Sequence, residues 1–450
     1  MIRLLDRTAM TYAASLFLSS SIYSYAILTV DKAHYSASTI MFLAVILCVG
    51  VLNVRPLLAG DGDRQSLRLS HVVLYAAVLH LGLIAGFWAS GRAEVALWVA
   101  DSYEMHLPGA SNVAAFLRGK ADLVSIGAPF DMVFLTQAFV GAWFAVLGQS
   151  PVISSLALMA PKLLAVVLVF KVGKEAAGEK AGLASALIYT CSPTVLYYTT
   201  VFYKEAVIQM LVAAILLFFL RIIRGKTAVS DWVWLLLSMA AIINERFYLF
   251  FFFAAAFFLK ILSRTRPWRA GIILLLGGAG LFLLLGQYAD LIARSHVSYR
   301  ELPSYLFEIL RSYREDYTNY PDITAINRSL SYPFAFLKIL FTPFFTLNKF
   351  SLFSDYSYIL IWGSFVNQAT IMLSLFGMYH ALRRNFARFW PLVLPFLLFL
   401  IVFAYVAPYI GRLRDSFYPL ISVYAGIAIL EAPRLLAALR ADRSRPAPRI

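Results

Sequence analysis

A short set of ionisable residues stands at the edges of apolar runs, where a charge is costly unless paired or used. Asp101, Glu104 and His106 follow one such run. Lys204 and Glu205 lie between two others, and Glu245 and Arg246 interrupt a further pair. Arg412, Arg414 and Asp415 precede the last run, and Lys162 falls about midway along its own. Carboxylates of this kind can take a proton from a hydroxyl nucleophile. Arginines and lysines beside them can hold phosphate oxygens and stabilise negative charge on a departing group.

Each residue also has a plainer reading. Asp101 and Glu104 could be solvated loop residues, and His106 an interfacial polar group. Glu205 suits a helix N-terminus, with Lys204 beside it. Glu245 and Arg246 could pair with each other as a structural ion pair. Lys162 could stretch its aliphatic stem towards the interface.

The elements that must position these groups are read from composition. Of 450 residues, 61% are apolar and only 14% charged, against about 25% charged in an ordinary soluble domain. Apolar runs of bilayer-spanning length recur from end to end. This excludes a soluble enzyme, a disordered chain and a nucleic-acid-binding module. The net charge of +15 is what basic residues at the cytosolic ends of helices produce. The pattern predicts an all-α polytopic membrane protein of about 12 transmembrane helices, near 9–30, 38–58, 70–90, 152–172, 181–199, 205–223, 231–244, 247–262, 269–287, 358–380, 389–409 and 415–434. The first is read as a retained signal anchor, because its apolar run is long and no clear cleavage site follows. The segments 129–148 and 332–348 are assigned to the outer face as interfacial or re-entrant pieces.

Charge bias supplies the orientation. The connections 59–69, 173–180, 224–230, 260–269 and 381–388, with the termini 1–8 and 434–450, hold 20 Lys and Arg against 6 Asp and Glu. The opposite connections hold 15 basic against 16 acidic residues. The first set therefore faces the cytosol. Two outer loops, 91–151 and 288–357, are long. The first contains Leu107–Arg118, an amphipathic helix suited to the interface. The second carries Tyr288, Tyr299, Tyr305, Tyr313, Tyr317 and Tyr320, which suit a membrane belt or faces for sugar rings. Cys48 and Cys191 lie within apolar runs and read as small core side chains. The tail ending RADRSRPAPRI is basic and reads as disordered.

These parts together fit transfer of a sugar from a lipid phosphate. A carboxylate receives the acceptor's proton, cations hold the leaving phosphate, and interfacial helices surround a site where a lipid donor meets a polar acceptor. At three places the sequence also resembles the GT-C-type glycosyltransferases, which include protein mannosyltransferases, the aminoarabinose transferase of lipid A and oligosaccharyltransferase. VADSYEMHLPG is similar to their first outer loop. GQSPVISSLALMAPKLLAVVLVFKVGKEAAGEKAGLASALIYTCSPTVLYYTTVFYKE is similar to their second to fourth spans, with a basic residue at Lys162 and an acidic one at Glu205. GRLRDSFYPLISVYAGIAI resembles the Arg-containing segment before the last span of bacterial polysaccharide-cluster members. The resemblance runs over about 70–435.

The resemblance implies a GT-C-like core at 70–287, with the catalytic first outer loop at 91–151 and two additional helices at 1–69. The outer loop 288–357, the helices of 358–434 and the basic cytosolic tail 435–450 complete the chain. Asp101 and Glu205 are its catalytic candidates. Glu104, His106, Lys162, Lys204, Glu245, Arg246, Arg412 and Arg414 are its substrate-binding candidates. The chain has Asp101-x-x-Glu104 where an Asp-x-Asp pair is usual, and these two would hold a divalent cation, Mg or Mn, if one takes part. The expected partners are a polyprenyl-phosphate sugar donor, a glycan or lipid acceptor and membrane lipids, with no nucleic acid. The expected location is the plasma (inner) membrane, with the site facing the periplasm or cell exterior. Two competing readings are a polysaccharide polymerase or ligase using undecaprenyl-pyrophosphate-linked chains, and a lipid or sugar transporter. Asp101 in the first outer loop favours the transferase over the polymerase. A transporter would show paired repeats and mid-membrane charges on several helices.

Overall fold

The computed structural model describes residues 7–30, 35–58, 67–98, 102, 106–121, 134–225, 228–263, 340–341, 358–406 and 414–443. The expected span 269–287, nearly all of 288–357, and residues 99–101 and 103–105, with the candidates Asp101 and Glu104, lie outside them. All regular structure among the described residues is helical. The chain is a polytopic all-α membrane protein.

The first helices are α1 (Arg7–Thr29), α2 (Tyr35–Leu58) and α3 (Leu69–Ala89). Two short helices follow, α4 (Ala93–Leu97) and α5 (Leu107–Leu117), and then α6 (Phe134–Leu147). Next come α7 (Pro151–Ala177), α8 (Glu179–Cys191), α9 (Pro193–Thr200), α10 (Glu205–Ile223) and α11 (Val229–Leu262). The C-terminal part holds α12 (Tyr358–Trp362), α13 (Ser364–Arg384), α14 (Phe386–Val406) and α15 (Tyr418–Arg443).

Four of these are long and apolar enough to cross a membrane within the segments Ala37–Arg55, Leu69–Ala89, Pro151–Ala177 and Glu205–Ile223. Expected and observed helices differ where the chain chemistry breaks a run. The segment read as one span at 181–199 is two helices. Ser192 caps α9 by accepting from Val195 N at 3.3 Å, and Pro193 occupies its first turn. The 358–380 segment likewise divides at Gly363, where an added Cβ would stand 2.4 Å from Pro193 Cβ. Within the 129–148 segment the described residues form α6, 14 residues and about 21 Å of helix. α6 packs on α5, with Gly141 set against the Ala110 carbonyl and Val113.

The chain divides into two compact units. In the larger, α7 and α8 approach closely at Gly173 and Gly182, where a Cβ on Gly173 would meet Gly182 Cα at 2.8 Å. Small residues let membrane helices gain van der Waals contact that lipid cannot supply. Gly178, at φ 99°, turns the chain between these two helices. α1 lies on α3 in the same way, Ser20 and Ser24 facing Gly82 and Gly86. At one end of this unit, arginines hold helix termini. Arg224 donates to the Glu175 carbonyl at 2.6 Å and pairs with its carboxylate, and Arg388 donates to the Ala176 carbonyl at 2.8 Å. These cations sit at the C-terminus of α7, where the helix dipole is negative. Arg221 pairs with Asp231 at 3.1 Å, and Arg384 and His380 lie 3.6 Å from Glu431.

The smaller unit joins the second part of α11, residues 340–341 and most of α14. Phe252 and Phe399 meet edge to face at 6.4 Å, and the Lys260 ammonium lies 5.9 Å from the Trp390 ring.

Candidate active site

The end of the larger unit opposite the arginine cluster is built around residues 201–204, the irregular link between α9 and α10. Val201 and Phe202 are fully buried. Backbone polar groups in so enclosed a link need partners, and the first loop supplies them. Phe202 N donates to the Leu97 carbonyl at 2.9 Å, and Ser102 Oγ donates to the Phe202 carbonyl at 2.9 Å. Trp98 Nε1 donates to Ser154 Oγ at 3.0 Å, which fastens the same stretch to the first turn of α7. His106 is buried, its ring 5.6 Å from Phe202 and 6.5 Å from Tyr203. The chain around 97–106 is thus stitched to the link that leads into Lys204 and Glu205.

Three residues on from Phe202, Glu205 opens α10, and its carboxylate pairs with Arg246. Both side chains are buried. Arg246 stands at the break in α11, the one described position within that helix with non-helical geometry (φ −155°, ψ 87°). The guanidinium also donates to Ser416 Oγ. Gln209, one turn along α10, donates to the Asp415 carbonyl at 3.0 Å and accepts from Tyr189 OH at 2.6 Å. Four separate parts of the sequence thereby meet at one buried polar node.

Glu245 does not pair with its neighbour Arg246. Its two carboxylate oxygens each take a hydrogen bond of 2.8 Å, from Thr136 N and Thr136 Oγ1 in the first turn of α6. A carboxylate there completes the open N–H groups of the helix start and meets the positive end of its dipole. Burial pushes the Glu245 carboxyl above the usual carboxylate range. The bonds from Thr136 and the nearby charge of Lys204 oppose that rise, while Glu205 adds to it.

Lys162 is fully buried on α7 with its ammonium 3.4 Å from His80 Nδ1. Arg414 is buried in the smaller unit and donates to the Leu340 carbonyl at 2.8 Å. Asp101, Glu104 and Arg412 lie outside the described residues.

Of the sequence candidates, the structure brings Lys204, Glu205, Glu245 and Arg246 into one cluster and seats His106 against the link beside it. Sequence reasoning missed Thr136, Gln209, Tyr189, Ser416 and His80. A histidine inside an apolar run is a signal in its own right. Thr136 and Ser416 carry none, since only the fold brings them to a charge.

No curated protein and no solved structure matches the chain. A family model does, over residues 132–287, about a third of the chain, and that stretch contains Thr136, Lys162, Lys204, Glu205, Glu245 and Arg246. The family is described as dolichyl-phosphate-mannose-protein mannosyltransferase, and with the polytopic helical fold the similarity supports a membrane glycosyltransferase of the GT-C superfamily.

Proposed function

We propose that the protein transfers a sugar from a polyprenyl-phosphate donor to a glycan or lipid acceptor at the outer face of the plasma (inner) membrane, with Asp101 as the general base. The observation that carries this is the stitching of the first loop to the 201–204 link through Leu97, Ser102 and Phe202. Asp101 is the sequence neighbour of Ser102. That adjacency in sequence supports the choice of Asp101 as the carboxylate that serves the site.

In the proposed step the acceptor oxygen attacks the anomeric carbon as the bond to the lipid phosphate breaks. Asp101 takes the hydroxyl proton, and the lipid phosphate leaves as an anion. Lys204 and Lys162 supply positive charge for its oxygens. Glu205 is buried and engaged by Arg246, so its part is to hold that guanidinium and the start of α10 rather than to meet the acceptor. Glu104 orients the acceptor or a divalent cation.

The test is Asp101→Asn in the purified full chain, given a polyprenyl-phosphate sugar and candidate acceptors. It preserves shape and removes basicity. Turnover should fall on the order of 10²-fold or more, with expression unchanged. Transfer at near wild-type rate would return Asp101 to an ordinary loop carboxylate.

A further inference from the structure

The pairing of Lys162 with His80 has a chemistry that the proposed mechanism does not yet use. His80 on α3 is fully buried, and its Nε2 lies 2.8 Å from the Ser155 carbonyl oxygen. A carbonyl can only accept, so Nε2 carries the proton and the ring is the neutral tautomer with a bare Nδ1. That bare nitrogen faces the Lys162 ammonium at 3.4 Å, with Thr200 Oγ1 at 3.5 Å. Ser155 Oγ in turn donates to the Thr200 carbonyl at 2.7 Å. Side chains from α3, α7 and the end of α9 meet at a single imidazole.

The same bonds fix where the ammonium is. Ser155 precedes Lys162 by seven residues on α7, about 10 Å nearer the helix start. Side chains on a helix lean towards its N-terminus, so Lys162 extends along α7 towards Ser155 and Thr200. Thr200 is the last residue of α9, directly before the 201–204 link. The charge is carried from mid-helix to the underside of the proposed site.

We propose that His80 is a positioning residue which holds the Lys162 ammonium beneath the 201–204 link for the phosphate of the lipid-linked donor. The inference rests on the reading of Lys162 as a donor-phosphate contact. Its physical core is the choice of partner. A carboxylate beside Lys162 would orient it but would also neutralise it and compete with the phosphate. A neutral imidazole accepts one of the three ammonium N–H groups and leaves the positive charge whole. No ion pair involves Lys162 among the described residues, and its hydrogen-bond partner among them is His80. The remaining donors are available to phosphate oxygens, where a charge-assisted bond is strongest.

Two isosteric substitutions separate positioning from mere packing. His80→Asn places an amide oxygen near the Nδ1 position, whereas His80→Gln places its amide near Nε2 and leaves no acceptor at Nδ1. Steady-state kinetics with a polyprenyl-phosphate sugar as the varied substrate should show donor kcat/KM lowered about tenfold in H80Q, with acceptor KM little changed. H80N should stay close to wild type, and Lys162→Met should match H80Q. Equal behaviour of H80N and H80Q, whether both normal or both impaired, would overturn the role of His80. A normal donor kcat/KM in K162M would instead remove Lys162 from the phosphate, whatever the histidine variants show. Melting temperatures in detergent identify any variant whose loss is one of folding.

Discussion

Arg246 and Glu245 are adjacent in the chain, yet each serves a different partner. The dipeptide reads naturally as an ion pair with itself, and the sequence offers no means to see otherwise. The break at Arg246 turns consecutive side chains in different directions, so Arg246 meets Glu205 and Ser416 while Glu245 meets Thr136. What was legible is that Lys204, Glu205, Glu245 and Arg246 stand beside apolar runs, where a charge demands a reason. Which charge answers which was not legible, since it depends on contacts 41 and 109 residues apart in the chain. The Glu205–Arg246 pair makes a testable claim. Removing one member of a buried pair strands the other, at a cost of about 3–5 kcal/mol, whereas replacing both with apolar side chains is often close to neutral. Arg246→Ala should lower the melting temperature strongly in detergent. Arg246→Met combined with Glu205→Leu should recover a large part of that loss. A double variant as unstable as the single one would show that the pair is not the source.

At the scale of elements, α6 carries the clearest lesson. Its composition suits a membrane span, and charge bias alone argued against one. The structure shows the helix that α6 packs on, α5. It also supplies the anchors at both ends of α6. Glu245 holds the first turn through Thr136, and Arg118 donates to the Ala145 carbonyl at 2.9 Å in the last. Glu245→Ala leaves Thr136 N and Oγ1 without their acceptor and should destabilise the fold by about 1–3 kcal/mol. Glu245→Gln keeps an acceptor and loses the cost of a buried charge, so its melting temperature should stay near wild type. Equal destabilisation by both variants would mean that the negative charge at the helix start, not the hydrogen bonds, holds α6 in place. The divisions at Ser192-Pro193 and at Gly363 were legible only in part. Ser-Pro is a recognisable helix start, but a run of apolar residues on both sides hides the boundary.

Across the whole molecule, the two ends of the larger unit differ in kind. One gathers Arg221, Arg224, Arg384 and Arg388 around helix termini and wholly or partly buried carboxylates. The other gathers buried carboxylates and the stitched link. The count of 20 basic against 6 acidic residues in alternate connections anticipated this division from sequence alone. Arginines that grip the C-terminal carbonyls of α7 cannot move across a bilayer independently, because they tie α7 to the end of α10 and to the start of α14. The basic end should therefore face the cytosol as one rigid set. Single cysteines placed in intact cells, in a background with Cys48 and Cys191 replaced, would read this directly. Positions within 294–320 should react with a membrane-impermeant thiol reagent, and Asn385→Cys should react only after the cells are opened. The native cysteines sit in apolar helices, so their replacement by Ala should leave expression unchanged. Reaction at position 385 in sealed cells would place the arginine cluster outside. The proposed site would then face the cytosol, away from any sugar carried on the outer leaflet, and the assignment of donor and acceptor would have to be inverted with it.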